Sequence, residues 1–163
     1  MKIVITCFSS QASFHDLGSV IDDDPQRFEV CGADASTEYL RRFDVAEADI
    51  QDIWTAIACH TSPGIGERIS PLSRLIRLAP LLDFHALQGN PWISEPERHV
   101  DQGNLRNRME VLYPRLDVDK VLSDLVAEQG MKQPTKAPPT SWAAGLVKAA
   151  KEEPEWTGVN KAF

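Results

Sequence analysis

A chain of 163 residues with 42% hydrophobic residues is long enough for one packed domain and too apolar to be disordered throughout. Its formal net charge of −7, with no long basic run, argues against a nucleic-acid binder, which needs a basic patch to meet phosphates. The cysteines, at positions 7, 31 and 59, make no CxxC pair, so neither a zinc knuckle nor a disulfide scaffold is signalled and a reducing compartment fits.

In chain order, Ile3, Val4, Ile5, Thr6, Cys7 and Phe8 have the β-branched and aromatic character of a strand. The run is too short to span a bilayer or to form a secretory core, so a soluble, cytoplasmic chain without a membrane partner is expected. No second strand follows to pair its backbone, which makes residues 1–13 an atypical N-terminal segment. His15-Asp16 then stands ahead of Gly18 near a short helical turn. An imidazole nitrogen beside a hard carboxylate oxygen suits a divalent first-row metal. Such a dipeptide is common by chance. It gains weight from two later stretches, Ala58 to Ile65 around His60 and Leu81 to Phe84 around Asp83.

Asp22-Asp23-Asp24-Pro25 reads as a solvated loop. Ala33 to Arg42 is predicted helical from the spacing of Ala35, Tyr39, Leu40 and Phe43, with Asp34 at its start, where a carboxylate suits the dipole. The clearest helix carries Ala46, Ile50, Ile53, Trp54, Ile57 and Ala58 on one face. Ser62-Pro63-Gly64 breaks it, leaving His60 at its C-terminal end. Another helix starts at Pro71 and runs through Ala79, with Pro80 expected to kink or end it. Asp83, among Leu81, Leu82 and Phe84, needs a partner: a metal or a buried hydrogen-bond network.

Residues 88–102, with Gly89, Pro91 and Pro96, read as a connecting loop. Asn104 to Tyr113 and Val118 to Glu128 are predicted helices, with Gly130 as C-cap of the second. Lys132 to Pro139 reads as a linker, Ser141 to Lys151 as a closing helix, and the remainder as a polar tail with Trp156. His85 and His99 have no motif around them and are assigned surface or structural roles. No repeat is visible. Beyond the N-terminal run the expected fold is all-α.

The ordered pieces resemble the HD superfamily of helical metal-dependent hydrolases, and within it the cyanamide hydratase-like proteins of fungi and bacteria. They are His15-Asp16-Leu17-Gly18, Arg27-Phe28-Glu29-Val30, Gly32-Ala33-Asp34-Ala35, Trp54 to Thr61, Pro63-Gly64-Ile65 and Leu82-Asp83. Pro154-Glu155-Trp156 and Gly158 to Phe163 resemble the end of fungal members. The resemblance covers roughly residues 14–163 and implies an HD-domain-like helical bundle. It further implies metal ligation by His15, Asp16 and Asp83. His60 would face the pocket, binding substrate, shuttling protons or joining a second metal. With one histidine between doublet and final aspartate, a mononuclear site is implied, with zinc as the first choice and iron or manganese as alternatives. The family's first histidine lies upstream of the doublet, and no histidine precedes His15 here. The chain therefore resembles a partial HD domain without its N-terminal helices.

The expected function is metal-dependent hydrolysis or hydration. A metal-activated water would attack a small nitrile of the cyanamide type or a phosphoester, with Asp16 and His60 as the catalytic pair. The small-molecule substrate is the principal partner, and a homo-oligomer is compatible with the sequence. The alternative is a non-catalytic remnant serving as a structural or binding module.

Overall fold

The computed structural model describes residues 12–84, 90–91, 93–98 and 105–162. The strand-like run 3–8 lies outside the described residues, as do His85 and His99. Among the described residues the fold is all-α. It comprises α1 (Phe28–Leu40), α2 (Glu47–Ala58), α3 (Gly66–Ile69), α4 (Pro71–Asp83), α5 (Glu95–Arg98), α6 (Leu105–Leu112), α7 (Val118–Lys132) and α8 (Trp142–Glu152). Tight 3-10 turns occupy Leu17–Val20 and Pro134–Lys136.

Two apolar clusters form the core. Ala33 and Leu40 of α1 meet Ile50, Ile53 and Ile57 of α2, the stripe expected from its periodicity. Phe28, at the other end of α1, packs with Leu122, Val126 and Ala127 of α7 and with Ala143 and Leu146 of α8. Helix α1 thus joins two halves, and α4 lies against α2. Ser70 caps α4 by accepting from Ser73 N at 3.1 Å, with Pro71 in its first turn. Ser141 caps α8 by accepting from Ala144 N at 3.0 Å.

Four local expectations are corrected. Helix α1 begins at Phe28, ahead of Ala33, because Phe28, Glu29, Cys31 and Gly32 all belong to its buried side. Asp34 consequently lies inside the helix, where its Oδ1 accepts from Trp54 Nε1 at 2.7 Å. Helix α4 runs through Pro80 to Asp83, one turn further than the proline suggested. Gly130 does not end α7. It lies inside that helix, where a Cβ would stand 2.6 Å from Val147 Cγ2 and 2.7 Å from Ala137 Cβ, so it serves close packing of α8. The linker after α7 is also tied down. Lys136 is buried and donates from Nζ to Ile21 O at 2.6 Å. No helix among the described residues is long and apolar enough to cross a membrane.

Candidate functional site

The doublet segment lies directly on α1, and two glycines permit it. A Cβ on Gly32 would stand 2.3 Å from Phe14 O, and one on Gly18 would stand 1.9 Å from Phe28 O. Each backbone uses the other's missing side chain. From the far side, Gln129 of α7 donates to Gly18 O at 3.2 Å and to Ile21 O at 3.1 Å. The segment carrying His15 and Asp16 is therefore gripped by both halves of the core.

His60 follows α2 at a helix end turned by the Pro63-Gly64 pair, where Gly64 takes a positive φ of 77°. Its ring is 4% exposed and stands edge-on to His15 and to Phe28, at 5.3 and 5.8 Å between centroids. Its Nδ1 lies 2.7 Å from Ile57 O, an acceptor only, so Nδ1 carries the hydrogen and Nε2 is the atom that exchanges a proton. Arg77 of α4 donates from Nη1 to His60 O at 3.2 Å and pairs with the buried Glu67 at 3.1 Å. The next residue, Thr61, donates to Glu29, a fully buried carboxylate that also holds Arg27 at 2.6 Å.

Asp16 receives both imidazoles. His15 Nε2 is 3.1 Å from Oδ2, and His60 Nε2 is 3.5 Å from Oδ1. Burial alone pushes the Asp16 carboxyl up. The hydrogen bonds and charges of His15 and His60 together outweigh burial and hold it well below the usual carboxylate range. Asp16 is thus a persistent anion bridging two bases. It also borders two cavities, of about 310 and 320 Å³, which share Pro80 and Phe84 in their walls. The first has His60, Thr61, Arg77 and Trp142 around it, and the second has His15 and Asp83.

All four residues singled out from the sequence therefore border this pair of cavities. They are not equally engaged. The Asp83 side chain is 51% exposed, and its carboxylate is paired with Arg115 Nη1. Its carbonyl accepts from Arg106 Nε at 2.8 Å and from Arg115 Nη1 at 3.2 Å. Among the described residues, no group of three or more His, Cys, Asp or Glu side chains is placed to hold a metal ion. His15 and Asp16 face each other and Asp83 faces a guanidinium. The three expected ligands, His15, Asp16 and Asp83, are thus not gathered around one point in this arrangement.

Sequence reasoning did not single out Arg77, Arg115, Glu29, Thr61 or Trp142. A signal existed for Glu29, a carboxylate among residues that share the buried side of α1. None existed for Arg115, which reaches Asp83 across 32 residues of chain. No family model, no curated protein and no solved structure matches this sequence.

Proposed function

We propose that the chain is a hydratase or hydrolase of a small uncharged molecule, with His60 as its proton shuttle and Asp16 as the carboxylate that orients the attacking water. The observation that carries this reading is that both border the 310 Å³ cavity, whose lining also includes the apolar residues Leu81, Phe84, Leu122 and Trp142. The charge balance favours a neutral substrate. Arg77, the cation bordering this cavity among the described residues, is already paired with Glu67. A phosphomonoester would enter beside the Asp16 anion with no uncommitted positive charge to meet it.

For a nitrile the steps balance as follows. Asp16, fixed as a carboxylate, orients a water by accepting its hydrogen bond. The water oxygen bonds to the nitrile carbon, and one π pair moves to nitrogen. Protonated His60 delivers its Nε2 proton to that nitrogen. The neutral ring then recovers a proton from the added oxygen, and tautomerisation leaves the amide. His60 is the shuttle because Asp16, held low, is a weak base.

The test is amide formation from cyanamide and small nitriles, beside phosphate release from phosphomonoesters, for wild type, His60→Ala and Asp16→Asn. Amide product that falls about 100-fold or more in both variants is expected. Equal turnover in His60→Ala, or phosphate release alone, sinks the reading.

The non-catalytic binding module has one observation in its favour. Val111, Leu112, Tyr113 and Leu116 lie together in sequence and are 83%, 68%, 69% and 85% exposed. Self-association that vanishes on Leu112→Ser and Tyr113→Ser, with no turnover of any nitrile, would favour it.

A further inference from the structure

The residues after α8 read as a polar tail in the sequence, yet they return to the cavity of Asp16 and His60. The return is built from contacts within the segment. Trp156 Nε1 donates to Val159 O at 2.7 Å, and Lys161 pairs with Glu153 while its Nζ lies 4.5 Å over the Trp156 ring. Asn160, which is buried, then holds in both directions. Its Nδ2 donates to Leu146 O of α8 at 2.9 Å, and its Oδ1 accepts from Ala162 N at 3.0 Å. Ala162 is thereby laid over α8, where a Cβ on Gly145 would stand 3.7 Å from its own. It packs with Trp142 against the second core cluster, and both border the 310 Å³ cavity. Among the described residues around that cavity Ala162 carries the smallest side chain, since the other apolar ones are leucines, prolines and aromatic rings.

We propose, on the hydratase reading above, that the substrate is a nitrile bearing an apolar substituent of about phenyl size, and that Ala162 is the specificity-determining residue that leaves room for it. Volume and lining both bear on this. A cavity of 310 Å³ falls within the range of about 300–1,000 Å³ that encloses whole organic ligands, and cyanamide is far smaller. Its polar members are Asp16, His60, Thr61 and Arg77, and the rest of its lining is apolar. A phenyl group would bury against that apolar lining and hold the nitrile carbon at the water oriented by Asp16, so that binding of the substituent serves the reaction. A larger side chain at 162 would take the space the ring needs, whereas a nitrile with only a methyl group fits either way.

The test uses the whole chain, with acetonitrile and benzonitrile as probes and thermal melts to confirm folding. Binding is read from the Trp142 indole N–H signal in proton–nitrogen correlation spectra, assigned by its loss in Trp142→Phe, and turnover from amide product. Wild type is expected to bind benzonitrile about tenfold or more tightly than acetonitrile. Ala162→Leu should weaken benzonitrile about tenfold or more and leave acetonitrile within about twofold, in Kd and in kcat/KM alike. Wild type that holds the two nitriles equally overturns the proposal, and so does a folded Ala162→Leu that weakens both alike or neither. Should Ala162→Leu not fold, Ala162→Val carries the same expectation at smaller amplitude. A binding preference that Ala162→Leu removes, with no amide formed by any of the proteins, supports Ala162 as the selecting wall and sinks the hydratase reading alone.

Discussion

Gly32→Ala sets two effects of opposite sign against each other. Gly32 lies inside α1, so alanine there raises helix propensity by about 1 kcal/mol. The new Cβ would stand 2.3 Å from Phe14 O, well under the 3.0 Å that real Cβ contacts respect. Its obstacle is backbone and not a side chain that rotates away. The doublet segment must retreat by the better part of an ångström, although Gln129 and Lys136 hold it at Gly18 O and Ile21 O. Overpacking of this kind costs roughly 1–3 kcal/mol, so the clash outweighs the propensity gain and a net loss of up to about 2 kcal/mol is expected. The retreat also shifts Asp16, two residues on, relative to His60, from which it is 3.5 Å distant. Turnover should therefore fall more than stability explains. Urea denaturation gives the first quantity and the nitrile assay on fully folded protein the second. A Gly32→Ala protein as stable as wild type, with unchanged turnover, would falsify the claim that close backbone approach positions the doublet.

Three further outcomes follow from the same geometry. Glu29→Ala strands Arg27 and Thr61 beside a buried hole and should lose about 3 kcal/mol in urea denaturation, while Glu29→Gln, which keeps hydrogen-bonding atoms, should lose less. A loss of under about 1 kcal/mol for Glu29→Ala would rule out that network as an anchor for the His60 loop. The Asp16 carboxyl is held below its ordinary value of 3.8, so its contribution to stability is complete above that pH and is lost as pH falls further towards the folded-state value. Melts of wild type and Asp16→Asn should therefore converge as pH drops below about 4, and curves that stay parallel there would contradict the double imidazole contact. Leu116 is 85% exposed at a φ of 52°, so Leu116→Asn gives up little packing and relieves the left-handed cost. It should raise stability by about 1 kcal/mol, seen as a melting temperature some 2–4 °C higher.

The parts of the fold that could be read from the sequence are those whose signal is local. Helix α2 carries its whole apolar stripe within twelve residues. The starts of α4 and α8 carry a serine cap, and α4 adds a proline in its first turn. The misreadings arise where a distant contact decides. Gly130 resembles a helix stop in sequence, but Val147 and Ala137 require a glycine inside the helix. Pro80 weakens α4 locally, yet the helix continues because Asp83 at its end is held by Arg106 and Arg115 from beyond. The site divides the same way. The doublet is a sequence neighbourhood, and His60 stands at a helix end that the Pro-Gly breaker announces. That Asp83 faces a guanidinium depends on a contact 32 residues away.

This division explains why the Asp16–His60 pair and the aspartate of α4 have different standing, although both border the Asp16 cavities. Asp16 and His60 are held by main-chain geometry: glycine contacts beneath the doublet, a carbonyl on His60 Nδ1, and Arg77 on the His60 carbonyl. Such contacts survive most side-chain changes, and they keep two imidazoles on one carboxylate whatever occupies the cavity. The Asp83 carboxylate is half exposed and pairs with Arg115, while its carbonyl accepts from Arg106 and Arg115. A carboxylate carried on a main chain seated this closely is suited to catalysis, which needs the same geometry at every turnover. The Asp16–His60 end of the site is thus seated on backbone contacts, whereas the Asp83 carboxylate is tied to Arg115 at a neighbouring cavity.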